Sequence, residues 1–253
     1  MNIGEGQVAL VSGANKEIGH EIAKQLAERG FTVLLGARDR ARGEAAARSM
    51  AGDVRALRLD VTSPESIAAA AARIRSELGR LDVLVNNAGI ARASATGDSS
   101  LENVRLRGLP SRATLDEIRE VFETNVFGAI ALTQAILPLL REAPEGRIVN
   151  VSSNLGSLST VSNMHTDHRG VGGIAYGPSK SALNAVTVAF AQELEGTQIK
   201  VNAACPGFTA TDLNNHSGTR SVFEAAREPV RLATLPADGP SGTLSNDAGP
   251  IPW

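Results

Sequence analysis

Short apolar runs without polar alternation recur along this chain at residues 7–12, 32–36, 54–59, 82–86, 147–152 and 200–204. A strand wetted on one face alternates and a strand covered on both faces does not, so these runs predict interior strands of a mostly parallel sheet. Between them the spacing turns helical. Ile18, Ile22, Leu26 and Ala27 share one stripe of a segment reaching Arg29, and Ile67, Ala71, Ile74 and Leu78 follow the helix-starting pair Ser63-Pro64. Parallel strands need crossovers, and right-handed crossovers lay helices on both faces. The order therefore predicts a doubly wound α/β sheet that takes its ligand at the strand C-terminal ends. Further helices are expected from Tyr176 to about Glu195 and over 220–233, and a last strand near 242–245. With 253 residues, one domain is a better fit than two, with a cofactor half of about 1–150 and a catalytic and substrate half of about 151–253.

Composition narrows the partners. A formal net charge of −2 offers no bulk attraction to nucleic acid or to an anionic membrane, so the expected partner is a small molecule. Cys205 is the one cysteine, which excludes an intrachain disulfide. No charged-then-apolar leader precedes the first strand, and no run of about 18 apolar residues exists; a spanning helix is excluded on that count and a cytoplasmic location is expected. Residues 91–113 and 154–175 are long polar stretches that leave strand C-terminal ends, which predicts lids facing a substrate. In the second, His165, Asp167 and His168 read as polar lid residues and not as metal ligands, and Met164 or His165 is a candidate substrate contact; no metal is expected.

The residues at the strand ends carry chemistry. Ser12 to Gly19 joins the first strand to the first helix, where free N–H groups and the helix dipole favour a diphosphate; Gly13 permits a tight turn and Gly19 a close helix approach. The spacing is not the common G-x-G-x-x-G. At the end of the second strand, Arg38 offers a planar donor fork to a ribose 2′-phosphate, and Lys16 adds a second cation, while Asp39 lies one residue too late to serve as the usual ribose acid. Tyr176 and Lys180, four apart, share a helix face, and a nearby ammonium favours a phenolate.

Taken in order from residue 7 to about 211, these motifs resemble the short-chain dehydrogenase/reductase family, and so a Rossmann-type fold. Ser12 to Gly19 is similar to its T-G-x-x-x-G-x-G loop, with Ser12 for Thr and Glu17 where the family usually has its middle Gly. A non-positive φ would let Glu17 point outward; a positive φ would strain the loop by about 1 kcal/mol or more, and a carboxylate there would repel a diphosphate. The resemblance implies that Asn125, Ser153, Tyr176 and Lys180 are catalytic: Ser153 hydrogen-bonds the substrate carbonyl, Tyr176 donates the proton, Lys180 holds the nicotinamide ribose and lowers the tyrosine pKa, and Asn125 supports a water-linked proton path. Ser152 competes with Ser153, since periodicity does not choose between neighbours at a strand end; family position favours Ser153. The same resemblance implies an NADPH/NADP+ site made by Gly13, Asn15, Lys16, Ile18, Gly19, Arg38, Asp60, Val61, Asn87, Ala88, Gly89, Tyr176, Lys180, Pro206, Gly207, Thr209 and Thr211.

Within the family, the loop, Arg38 and the 23-position interval from Ser153 to Tyr176 look like NADPH-dependent carbonyl reductases acting on a ketone or aldehyde. Homo-oligomers pairing the helices after Asn125 and around Tyr176 are common there, and some insertion-bearing relatives are monomers; both states stay open. A catalytically weak NADP-binding regulatory protein is the alternative that Glu17 and the long lid motivate. A nucleotide-sugar epimerase is disfavoured by the first-loop spacing and the short C-terminal segment.

Overall fold

The computed structural model describes residues 4–92, 106, 108–163 and 172–253. Strands β1 (Val8–Val11), β4 (Val83–Asn86) and β5 (Gly146–Val151) are buried at every position. They lie at the centre of an eight-stranded sheet, where helices on both faces exclude water. With β2 (Thr32–Ala37), β3 (Val54–Arg58), β6 (Ile199–Ala204), β7 (Leu244–Asn246) and β8 (Gly249–Pro250), the order is β3-β2-β1-β4-β5-β6-β7-β8. Every pairing is parallel except β7 with β8.

The period of two sends alternate residues of one strand to opposite cores. Ala9 and Val11 face one, with Ile22 and Leu26 of α1 (Glu17–Glu28), Ala46 of α2 (Arg40–Arg48) and Val230 of the late helix Val222–Ala233. Val8 and Leu10 face the other, with Ile67 and Ile74 of α3 (Pro64–Leu78). The chain thus leaves β1 toward one face and reaches β4 from the opposite face. Strand order reverses at β1 and β4, and the crevice beyond their C-terminal ends is where a doubly wound sheet holds its ligand.

Local chemistry starts these helices where the sequence places them. Ser63 accepts the Ser66 N–H at 3.1 Å ahead of Pro64, and a reciprocal Thr114–Glu117 capping box opens α4 (Leu115–Phe122). α4 continues through a π turn (Glu123–Phe127) into α5 (Gly128–Leu140), whose Leu132 and Ile136 complete the second core. After β5 come a short 3-10 turn (Asn154–Gly156), α6 (Leu158–Val161) and α7 (Gly173–Glu193); α8 (Val222–Ala233) follows β6.

Three expectations need correction. α7 begins at Gly173, because Gly172 and Gly173 take left-handed φ values of 92° and 58° that turn the chain into the helix before Tyr176. The antiparallel β8 was not expected, since its two residues carry no apolar pattern. The exclusion of a spanning helix by length also fails: Leu115–Leu140 is long and apolar enough to cross a membrane. More than half of its most apolar 18-residue window is buried against the protein's own sheet and helices, the pattern of a core helix.

Candidate active site

Tyr176 and Lys180 stand one turn apart on α7, as their spacing predicts. The Lys180 Nζ donates to the Val151 carbonyl at 2.8 Å and lies 5.7 Å from the centre of the Tyr176 ring. Gly156 lets the 3-10 turn press on this helix: a Cβ there would come within 2.6 Å of the Lys180 carbonyl carbon. Crowding by protein pushes the Tyr176 phenol up to about 12, and a hydrogen bond with the Ser153 side chain pulls the other way. The same loss of water lowers Lys180 to about 8.

Neighbouring serines separate cleanly. Ser152 is 1% exposed and donates to Asn184 Oδ1 at 2.5 Å, so its hydroxyl is committed to the core. Ser153 is half-buried and accepts the Leu155 N–H at 3.2 Å, and its hydroxyl is near enough to the phenol to pull the Tyr176 pKa down. Asn125 sits in the π turn, a local widening of the helix that often marks a working site. Its Oδ1 accepts the Ile90 N–H at 2.8 Å, and its Nδ2 donates to the Ile90 carbonyl at 2.8 Å and to Ser179 Oγ at 3.0 Å. Asn125 therefore clamps the segment after β4 to α7. Sequence reading found Asn125 but missed the π turn and Ser179, because neither has a period of its own.

The crevice beside β1 has the shape of a phosphate cradle. Ser12 Oγ accepts the N–H groups of Asn87 and Ala88, each at 3.0 Å, doing the work expected of a threonine. Asn87 Nδ2 returns bonds to the Ser12 carbonyl at 2.9 Å and the Gly13 carbonyl at 3.2 Å, locking the ends of β1 and β4 together. Gly13 has φ of 63°, and a Cβ on it would lie 2.9 Å from the Ala88 Cα; on Gly19 it would lie 2.4 Å from Asn87 Nδ2. On Gly89 it would approach Asn125 Oδ1 to 3.3 Å and Lys180 Nζ to 3.5 Å. Bare backbone at these positions, beside the N-terminus of α1, fits a dinucleotide. Asn15 and Ile18 are half-buried in the same turn.

The rest of the expected set surrounds that cradle. Arg38 is exposed at the end of β2, with no partner among the described residues. Asp60 Oδ1 accepts the Thr62 N–H at 3.0 Å and hydroxyl at 2.7 Å, and Val61 is buried against Gly128. After β6, Pro206 and Gly207 are half-buried, and the buried Thr209 donates to the Gly207 carbonyl at 3.2 Å. The buried Thr211 gives its N–H to Asn214 Oδ1 at 3.3 Å. Met164, His165, Asp167 and His168, with most of 91–113, lie outside the described residues.

The first loop departs from expectation in two ways. Glu17 adopts φ of 53°, the left-handed value that costs a residue with a Cβ about 1–2 kcal/mol. Its carboxylate turns to the far segment and accepts the Asp212 N–H at 2.5 Å. Lys16, expected to serve a phosphate, instead pairs with the Asp212 carboxylate, whose other oxygen lies 2.9 Å from His216 Nε2. Lys16 first and His216 second hold the Asp212 carboxyl below the usual aspartate range. Donor atoms of Glu17, Asp212 and His216 lie within 4.8 Å of one another, and the Lys16 ammonium already serves as the cation there. The positive φ at the middle glycine position, which Glu17 fills, was the one signal that could have drawn attention to this cluster.

A model of the short chain dehydrogenase family matches residues 7–221. The (-)-isopiperitenone reductase of Mentha piperita is 37% identical, over 92% of this chain and 94% of its own length. The solved structure of salutaridine reductase from Papaver somniferum aligns with a TM-score of 0.79 and 31% identity, covering 95% of this chain and 99% of that one. A metagenomic short-chain oxidoreductase solved in complex with NADP aligns with a TM-score of 0.75 and 28% identity, over 96% of this chain and 98% of that one.

Proposed function

This chain belongs to the short-chain dehydrogenases, oxidoreductases of carbonyl and alcohol substrates, and from that premise we propose that it is an NADPH-dependent carbonyl reductase. The observation that carries this reading is the grouping of Ser153 and Lys180 about the Tyr176 phenol, with Lys180 Nζ 5.7 Å from the ring centre and the Asn125 clamp behind it. When bound, the cofactor supplies a hydride. Gly13, Gly19 and Gly89 give it backbone approach, with Asn15, Ile18, Asp60, Val61, Asn87 and Ala88 around the adenosine side and Pro206, Gly207, Thr209 and Thr211 around the nicotinamide side. Unpaired Arg38 receives the 2′-phosphate, which is the local reason to favour NADPH over NADH.

The protein's own groups supply orientation and the proton. Ser153 Oγ, half-buried and aimed at the phenol, hydrogen-bonds the substrate oxygen as negative charge grows on it. With its pKa pushed up to about 12, Tyr176 is a phenol and not a phenolate at neutral pH, the form a reduction needs. The Lys180 ammonium, fixed by Val151, makes transfer of that proton easier by stabilising the phenolate left behind. Exposed Leu158 and Phe208, on segments leaving β5 and β6, suit an apolar ketone.

Oxidation of NADPH and of NADH, followed by absorbance across aldehydes, diketones and aryl ketones, tests the assignment. Turnover with NADPH is expected, and Arg38→Ala should raise the KM for NADPH about tenfold or more while changing that for NADH little. Glu17 beside the cradle favours one second reading, an NADP-binding regulatory protein with weak activity. Tight NADPH binding without turnover on any carbonyl would decide for it.

A further inference from the structure

We propose that Lys16, Glu17 and Asp212 form a strap across the cofactor crevice, so that release of the dinucleotide requires this contact to open. The proposal rests on the cofactor reading above.

Sheet order shows what the contact spans. Lys16 and Glu17 follow β1, and Asp212 follows β6, with β4 and β5 lying between those strands. At about 4.8 Å per neighbouring pair, the ends of β1 and β6 are about 14 Å apart. A direct bond between residues 17 and 212 therefore joins segments that leave strands on either side of β4 and β5, whose C-terminal ends lead to Asn87 and Ser153. The bond is doubled, because Glu17 takes the Asp212 backbone N–H while Lys16 takes its carboxylate. Among the described residues the Glu17 carboxylate makes no other hydrogen bond, and Glu17 holds a left-handed φ while making this one.

The far side of the strap is a compact knuckle on a pinned stem. His216 N–H donates to the Thr211 carbonyl at 2.8 Å and its ring reaches Asp212, so residues 211–216 hold together. At the stem, Ala210 N–H donates to the Arg220 carbonyl and Arg220 N–H to the Phe208 carbonyl, each at 3.0 Å, and Arg220 is tied to Asp247 at 2.5 Å. Gly207, with φ of 76°, and Gly218, where a Cβ would meet the Thr209 carbonyl carbon at 2.1 Å, flank the knuckle. A further long bond, Arg92 to Asn215 at 3.5 Å, comes from the segment after β4. A knuckle secured at its stem and fastened at its tip to α1 can swing only when the tip lets go.

Two measurements on the full chain test this. In the cofactor-free protein, hydrogen–deuterium exchange across 208–216 is compared for native, Glu17→Gly and Glu17→Gln. The Gln side chain keeps an acceptor oxygen for the Asp212 N–H and removes only the charge. Exchange should rise about tenfold in Glu17→Gly and stay within about twofold of native in Glu17→Gln. NADPH release, followed by stopped-flow fluorescence, should quicken about fivefold in Glu17→Gly and less than about twofold in Glu17→Gln. Unchanged exchange in Glu17→Gly overturns the strap, and so does faster exchange without faster release. Equal acceleration of release in both variants overturns it in favour of simple charge repulsion. A native chain that binds no NADPH overturns the cofactor reading and with it the release step, while the exchange comparison still decides the contact.

Discussion

The two ends of the site use their charged and polar groups in opposite ways. Behind the Tyr176 phenol, Lys180 and Asn125 are buried and held by partners fixed elsewhere in the fold. At the other end, Lys16 and Asp212 are more than half exposed, Glu17 is half-buried, and the three are held by one another. A buried donor without its acceptor costs several times what an exposed one does, so the first constellation has one arrangement and the second has several close in energy. On the proposed function, chemistry sits where the fold dictates geometry, and cofactor entry sits where salt bridges can exchange partners.

The sharpest way to break this comparison is Tyr176→Phe. Reduction should fall about a thousandfold with NADPH affinity retained, measured by steady-state turnover beside fluorescence titration. Comparable activity in the variant would remove Tyr176 from the proton step. Ser153→Ala should cost about a hundredfold in kcat. Its neighbour gives the contrast: Ser152→Ala should keep near-native kcat but lose about 1–3 kcal/mol in urea denaturation, because Asn184 loses a buried donor. The opposite ranking of the two serines would reverse their assignment.

A pH profile sharpens the picture at lower amplitude. Lys180 is charged below about 8 and neutral above it, so kcat/KM for NADPH, which reports the free protein, should drop about tenfold per unit beyond that point. Stability should move the other way. With the folded pKa depressed from 10.5 to about 8, the unfolded chain binds more protons in that window, and this group's contribution rises with pH across it. A kcat/KM profile flat to 10.5 would mean that the ammonium plays no part. The smallest effect belongs to the exposed end. Glu17→Gly and Glu17→Ala lose the same carboxylate and differ in tolerance of φ of 53°, so the glycine variant should be more stable by about 1 kcal/mol, or about 2–4 °C in Tm. Equal melting temperatures would show that the turn relaxes.

Strand positions were legible within one or two residues because burial on both faces writes an apolar run into β1, β4 and β5 directly. Asn125, Ser153, Tyr176 and Lys180 were legible as ordered motifs, and the structure brings them together. Lys16 misled because a cation beside a phosphate loop looks available until its partner, 196 residues away, is known. No sequence pattern showed where the C-terminal tail packs: the Pro252 and Trp253 carbonyls accept bonds from Ser157, which caps α6, and from Ser159 within it. Those bonds brace the segment that follows Ser153.

What the sequence by itself determined is the alternation of strand and helix and the residues at each strand end, since unbroken apolar runs, the places where they stop, and a helical spacing of about four residues are all local to one stretch of chain. Tertiary structure decided which serine meets the phenol, how far Tyr176 and Lys180 depart from their ordinary pKa values, and that Glu17 takes a left-handed turn to hold Asp212. Those outcomes depend on water exclusion and on bonds between residues far apart in the chain, and neither exists until the sheet is assembled.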